Sequence, residues 1–149
     1  MEIRYLEGFT LAGFTIRTSN FAEKTPSTAK IAGLWQYFYQ HTAPNLSPET
    51  SVYGIYSNYE SDVNGHYDLT LATTCMLSKG VENTREVAVA SGKYLVFVAK
   101  GEMPDSVIGL WGQIWSYFSD EDCPHERSYT SDYECYLDEK SVEICISIC

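Results

Sequence analysis

A glutamate set among aromatic residues is the feature of this 149-residue sequence with the clearest chemical potential. Glu134 and Tyr136 stand two positions apart in Tyr133-Glu134-Cys135-Tyr136, a run with strand-like composition, so both side chains point to one face. A carboxylate beside aromatic rings suits a ligand that combines positive charge with flat apolar surface, because rings present their negative faces to cations. At about 4 Å and an effective dielectric constant near 20, the charges attract by about 4 kcal/mol before desolvation, which would select cations over neutral analogues.

The segment that carries this glutamate belongs to an internal repeat with an offset of 80 positions. The offset places Trp35-Gln36-Tyr37-Phe38 on Trp115-Ser116-Tyr117-Phe118, and Tyr53-Gly54-Ile55-Tyr56 on Tyr133-Glu134-Cys135-Tyr136. Two separate segments rarely agree on one offset by chance. We therefore predict one domain over residues 1–149 that consists of two halves, about 1–80 and about 81–149.

Hydrophobic periodicity predicts the order strand, helix, strand, strand in each half. Apolar residues at spacings of three and four predict a helix that ends at His41, with Ser27 or Thr28 as its cap, and a second helix that follows Pro104. Alternating runs predict strands within 1–17, 51–57, 67–77, 86–90, 94–98, 129–137 and 142–148. This order favours an α+β fold with pseudo-twofold symmetry, in which two main helices accompany a curved antiparallel sheet and a central cleft lies between the halves.

The halves differ where Gly54 of the first corresponds to Glu134 of the second. Scaffold positions can stay alike in both halves, whereas a site that needs one particular group must break the symmetry. One strand face must cover the helices, and the more apolar one is assigned to the core: Tyr133, Cys135 and Leu137. Glu134 then turns toward the cleft, with Gly54 and Tyr56 opposite. The alternative is that Glu134 is a solvated residue on an exposed strand face.

Aromatic residues are abundant enough, at 14% of the sequence, to line a pocket as well as a core. Trp35 and Trp115 lie on the apolar stripes of the two predicted helices, where core packing is commoner than ligand contact. For Trp111 and Tyr56 the two interpretations are evenly balanced.

Composition narrows the class of protein. The net charge is −10 and the 10 basic residues are scattered, which disfavours nucleic acid as a direct partner. No apolar run approaches the roughly 20 residues of a membrane helix, and no signal peptide follows Met1, so we expect a cytoplasmic protein that does not contact the membrane. The five cysteines are an odd number without a C-x-x-C pair, which favours reduced thiols over a disulfide framework.

Few residues besides Glu134 offer catalytic chemistry. In an apolar pocket its pKa would be raised, and with Tyr136 or Tyr56 nearby it could act as a general base on water. The three histidines fall at a helix end and in polar loops, which is typical of solvated surface. Cys123-Pro124-His125 could bind a metal but lacks further ligands at a metal-site spacing, and neither G-x-S-x-G nor a phosphate-binding glycine loop is present, so we expect no metal and no cofactor.

The whole chain resembles the effector-binding domain of AraC-type and MerR-type multidrug-sensing regulators, also found alone as gyrase-inhibitor-like proteins. Four segments carry the resemblance: the strand at 52–56, the strand at 94–101 that leads into Pro104, the helix at 110–115, and the ending at 133–136 and 142–146. The resemblance implies a cleft between the two units and an acidic residue on the penultimate strand that recognises lipophilic cations, and Glu134 matches that position. The aromatic wall of such sites is similar to Tyr56, Trp111, Trp115 and Tyr136.

This chain departs from the regulators in one respect: we expect no helix-turn-helix domain in a chain of this length, and therefore no regulator that binds DNA directly. The resemblance therefore implies a stand-alone module that senses or sequesters amphipathic, cationic aromatic compounds. Two alternatives stay open. One is a protein-interaction module of the gyrase-inhibitor type, which would need a protein partner, and the other is a small hydrolase of reactive electrophiles that uses Glu134 and Tyr136.

Overall fold

A computed structural model describes residues 1–42, 50–74 and 83–149 of the chain. Three helices are present in these ranges: α1 (Asn20–Glu23), α2 (Ile31–Thr42) and α3 (Asp105–Ser119). The described strands are β1 (Glu2–Leu6), β2 (Phe9–Ser19), β3 (Val52–Ser57), β4 (His66–Thr73), β5 (Arg85–Val89), β6 (Gly92–Lys100), β7 (Arg127–Asp138) and β8 (Ser141–Ile148). Within the described ranges, no helix is long and apolar enough to cross a bilayer.

These eight strands form one antiparallel sheet in the order β1-β6-β8-β7-β3-β4-β2-β5. The order is symmetric about its centre, because β3 and β7 are neighbours and each is followed outward by the corresponding strands of its own half. The outermost strands are exchanged: β1 pairs with β6, and β5 pairs with β2. The predicted α+β fold with duplicated halves is thereby confirmed, and each half closes the sheet edge of the other. The predicted boundary at about residue 80 lies outside the described residues.

The pairing of β3 with β7 locates the pseudo-twofold axis. Gly54 lies opposite Glu134, Tyr53 opposite Cys135, and Ile55 opposite Tyr133. Gly54 and Glu134 are also the residues that the 80-residue offset superimposes, so each faces its own equivalent in the other half. The axis therefore passes between these two residues, at the centre of the sheet.

The two faces of the sheet carry different cores. The sheet curls, and its edge strand β5 contacts the central strands β3 and β7 across the inner face. That face holds a cluster that includes Ile55, Tyr133 and Cys135. Helices α2 and α3 pack on the outer face, each over a cluster of its own half.

The prediction that the helices cover the Tyr133 face is wrong. Tyr133 and Cys135 are buried as expected, but in the inner cluster, whereas Leu137 is 57% exposed. The helices instead lie on the same face as Glu134. The number of apolar residues on each face of β7 favours the wrong face for the helices. The curled sheet buries both of its faces, so both faces carry core residues.

Two local features explain how the chain enters its elements. The N-terminus of α2 is capped by Glu23, whose carboxylate accepts hydrogen bonds from the backbone N–H groups of Lys30 and Ile31. The predicted cap Thr28 instead donates to backbone carbonyls of the preceding turn. Within β2, Gly13 marks the change of partner from β5 to β4, and a Cβ there would come within 2.2 Å of the Leu71 carbonyl oxygen.

A buried ion pair ties the start of β7 to β8 and to the loop after β3. The Asp132 carboxylate is completely buried and lies 2.7 Å from Nη2 of Arg127. It also accepts hydrogen bonds from the Tyr59 hydroxyl and from the backbone N–H of Ser147. The Arg127 guanidinium lies 4.5 Å from the ring centroid of Tyr129. Each charge is thus compensated inside the protein.

We predict that Asp132→Asn lowers the free energy of unfolding by about 3 kcal/mol, because it leaves the Arg127 charge buried without a counter-charge. Urea denaturation measures the loss. Asp68→Asn is the matched control, since Asp68 forms a partly exposed ion pair of 3.0 Å with Arg17, and its removal costs about 1 kcal/mol or less. Equal losses for the two variants would contradict the role assigned to the buried pair.

Candidate functional site

The Glu134 side chain lies on the outer face of β7, beneath α3, and is only 4% exposed. Three neutral donors hold its carboxylate. Trp111 Nε1 donates to Oε2 over 2.7 Å, the Tyr56 hydroxyl donates to the same oxygen over 3.1 Å, and the Tyr136 hydroxyl donates to Oε1 over 2.9 Å. The solvated alternative for Glu134 is therefore excluded.

The two carboxylates on this face of β7 differ in their compensation. Asp132 has the Arg127 guanidinium as a counter-charge. Among the described residues, no lysine, arginine or histidine side chain forms an ion pair with Glu134. Its neighbours supply hydrogen bonds without positive charge, so Glu134 is a buried acidic group whose charge the site leaves uncompensated.

Burial raises the pKa of Glu134 above its ordinary value, because desolvation disfavours the charged form. The hydrogen bonds from Trp111, Tyr136 and Tyr56 act in the opposite direction and offset part of this effect. Desolvation also raises the pKa of Tyr56 and Tyr136, and the neighbouring Glu134 carboxylate raises both further. The two hydroxyls therefore keep their protons and remain donors to the carboxylate.

Aromatic rings from both helices surround the carboxylate. Trp111 of α3 packs on Tyr56 of β3, with ring centroids 5.1 Å apart, and Trp35 of α2 packs edge-on against Tyr136 of β7 at 5.3 Å. Each helix thus contacts a strand tyrosine of the opposite half. Trp115 lies 6.1 Å from Trp111 and is 43% exposed, which places it at the outer rim.

The structure brings four of the five predicted site residues into direct contact: Glu134, Tyr56, Trp111 and Tyr136. Trp115 belongs to the same aromatic cluster through Trp111, without a hydrogen bond to the carboxylate. Sequence reasoning missed Trp35, because the helix stripe predicts core packing for this residue, which also contacts Tyr136. The repeat contained the signal, because the 80-residue offset superimposes Trp35 on Trp115. The same offset superimposes Ile31 on Trp111, so the third hydrogen-bond donor is a second break in the symmetry.

Gly54 makes room for the carboxylate. A Cβ at this position would lie 2.7 Å from Oε1 of Glu134, which is closer than real contacts allow. Because the pseudo-twofold axis passes between these two residues, a glutamate in each half would place two carboxylates in the same space. One half supplies the charge, and the other supplies the space that it occupies.

The duplicated, curled sheet, with a buried acidic and aromatic site on its axis, is an effector-binding fold. The model of a family described as "Integron-associated effector binding protein" matches residues 2–148. The chain belongs to this family, which confirms the resemblance to effector-binding domains, and it is a small-molecule-binding module.

Three proteins of known sequence or structure are similar to this chain. An integron cassette protein from the mobile metagenome of Vibrio cholerae shares 42% identity, with a TM-score of 0.93 over 99% of this chain and 95% of that one. SAV2435 bound to tetraphenylphosphonium shares the fold at 22% identity, with a TM-score of 0.72 over 99% and 93% of the two chains. A Bacillus subtilis (strain 168) protein named "Putative transcriptional regulator protein YobU" is 29% identical over 91% of this chain and 85% of its own length.

We predict that Gly54→Ala destabilises the protein by about 1–3 kcal/mol, because the added methyl group displaces the Glu134 carboxylate from its donors. Urea denaturation followed by tryptophan fluorescence measures the change. Gly33→Ala on α2 is the matched control: its Cβ would meet no atom within 4 Å, and alanine favours a helix over glycine by up to about 1 kcal/mol. A Gly54→Ala variant as stable as the wild type would contradict the steric argument.

We also predict that Glu134→Gln stabilises the protein at neutral pH but not at acid pH. Since the pKa of Glu134 is higher in the folded than in the unfolded state, the wild type loses stability as the pH rises through the folded-state value. Glutamine lacks this titration, and its amide can donate to the Tyr136 oxygen while its carbonyl accepts from Trp111 and Tyr56.

Thermal unfolding at a series of pH values measures the effect. The melting temperature of Glu134→Gln should exceed that of the wild type by a few degrees at neutral pH and approach it under acid conditions. Glu7→Gln, an exposed glutamate in the turn between β1 and β2, should show no such divergence. A difference that grows as the pH falls would have the wrong sign.

Proposed function

We propose that the module binds amphipathic aromatic cations, with the positive charge of the ligand against Glu134. The observation that carries the proposal is the buried Glu134 carboxylate, which has hydrogen bonds but no counter-charge among the described residues. A buried carboxylate without a counter-charge costs free energy, and a cation that also buries apolar surface would compensate for it. Asp132, two residues away, is a buried carboxylate whose charge is compensated, because it forms an ion pair with Arg127.

The rings around Glu134 support an aromatic ligand. Tyr56, Trp111, Tyr136 and Trp35 present ring faces and edges around one negative charge, and the rim residues Trp115 and Tyr39 add exposed aromatic surface. Tyr39 stacks on Trp35 with centroids 5.7 Å apart. Such walls attract a cation through their negative faces and bury its apolar groups. The tetraphenylphosphonium bound to SAV2435 has this combination of charge and rings.

The contacts also define how a ligand would enter. Because the carboxylate is almost completely covered, a ligand reaches Glu134 only if rings above it move. Trp111 and Trp115 are the candidates, since both project from α3, whereas Tyr56 and Tyr136 lie on the central strands. We infer that the side chains of Trp111 and Trp115 move away from Glu134 when the module sequesters or senses its ligand.

We predict that the purified protein binds tetraphenylphosphonium and discriminates against two probes of similar shape, the neutral triphenylphosphine oxide and the anion tetraphenylborate. Glu134→Gln should weaken the affinity for tetraphenylphosphonium at least tenfold, which is about 1.4 kcal/mol, and leave the affinity for the neutral probe within a factor of about two. Isothermal titration calorimetry measures all three affinities, and quenching of the site tryptophans gives an independent reading.

Glu7→Gln is the control, because it removes the same charge from an exposed position. Equal affinity for the cation and the neutral probe, or unchanged cation affinity in Glu134→Gln, would overturn the proposal. Two other outcomes favour the alternatives: Glu134-dependent hydrolysis of a strained electrophile favours a hydrolase, and a stable protein complex indifferent to Glu134→Gln favours a protein-interaction module.

A further inference from the structure

We propose that this site selects cations that carry no N–H group, such as quaternary ammonium, pyridinium and phosphonium ions, over protonated amines and guanidines. The inference rests on the proposed binding of cations at Glu134 and adds the chemical class of the cation. It follows from the number of hydrogen bonds that the Glu134 carboxylate already accepts.

A carboxylate offers about four acceptor positions, two on each oxygen. Oε2 of Glu134 accepts from both Trp111 and Tyr56, and Oε1 accepts from Tyr136. Three of the four positions are therefore occupied by the protein itself. If Trp111 moves aside for a ligand, the two tyrosine hydroxyls still occupy one position on each oxygen.

The tyrosine donors are fixed more firmly than the tryptophan. Tyr136 lies on the same strand as Glu134, and Tyr56 lies on the neighbouring strand β3, at the centre of the sheet. Tyr56 also packs against Tyr67 of β4, with ring centroids 5.3 Å apart. The hydroxyls keep their protons, as described above, and so they face the carboxylate as donors whether or not a ligand is present.

This carboxylate therefore cannot accept hydrogen bonds from all the N–H groups of a ligand that has several. A primary ammonium brings three donors and a guanidinium five, whereas the carboxylate has one or two positions left. Each donor that is buried without an acceptor costs roughly a factor of ten in affinity. A primary ammonium is also strongly hydrated and must lose its water to reach a buried site. A quaternary cation needs only the charge, which is what the site leaves uncompensated.

The experiment uses the purified full chain and one ligand series at neutral pH: naphthylmethylamine and its mono-, di- and trimethylated forms, with the neutral naphthylmethanol as reference. We expect the quaternary ion to bind at least tenfold more tightly than the primary ammonium. Added methyl groups also bury apolar surface, so wild-type affinities alone do not isolate the hydrogen-bond effect.

The decisive measurement compares the quaternary-to-primary affinity ratio of each variant with that of the wild type. Intrinsic differences between the two ligands contribute equally to both ratios and therefore cancel. Tyr136→Phe and Tyr56→Phe each free one acceptor position, and we expect each to lower the ratio by about threefold or more. Tyr5→Phe is the control, because Tyr5 is 77% exposed on the edge strand β1, which β6 and β8 separate from β7. Its ratio should match that of the wild type. Circular dichroism checks that all variants are folded.

The possible outcomes separate the two proposals. If naphthylmethanol binds as tightly as the cations, cation recognition at Glu134 fails, and with it the proposed function. If the cations bind more tightly than the alcohol but do not differ among themselves, only the present inference fails. A ratio that is unchanged in both Tyr136→Phe and Tyr56→Phe would also overturn it.

Discussion

The buried charge of Glu134 is the constraint on which the arrangement of this protein depends. A carboxylate that is 4% exposed and lacks an ion-pair partner among the described residues is costly unless its oxygens are hydrogen-bonded. Two strand tyrosines and one helix tryptophan supply those bonds. They satisfy the oxygens without neutralising the charge, which lets the chain fold with an uncompensated negative charge at the centre of the sheet.

The duplicated fold places such a group where residues of both halves can donate hydrogen bonds to it. Antiparallel pairing of β3 with β7 places the symmetry axis between Gly54 and Glu134, where a side chain meets its own equivalent. A charge on this axis has tyrosines from both halves within reach, because Tyr56 and Tyr136 are themselves equivalent under the repeat. The axis also forbids two copies of the charge, so the pair must differ. Gly54 is the complement of Glu134, and the asymmetry of the site follows from the symmetry of the sheet.

Much of this arrangement could be predicted from the sequence, because the repeat and the strand alternation are local patterns. They gave both long helices, the strand order along the chain, and the contact of Glu134 with Tyr136 and Tyr56. The face that the helices cover could not be predicted from β7 alone, since a curled sheet buries both faces. The exchange of β1 and β5 between the halves could not be predicted either, because it depends on long-range strand pairing. Strands β1 and β6, for example, pair although they are about 90 residues apart in the chain. The capping of α2 by Glu23 depends on a turn that brings the Glu23 carboxylate to the backbone N–H of Lys30, seven residues later in the chain.

The roles of the two helices differ more than their similar sequences suggest. Trp35 and Trp115 are equivalent by the repeat, yet Trp35 contacts Tyr136 while Trp115 lies at the rim. The cause is the exchange of Ile31 for Trp111 one turn earlier, because the larger ring of Trp111 occupies the position against Tyr56 and the carboxylate. Trp111 thus completes the hydrogen bonding of Glu134 from a helix, whereas the other two donors come from the sheet. A donor on a helix can withdraw without disturbing strand pairing, so Trp111 is the one of the three donors whose movement would leave the sheet intact.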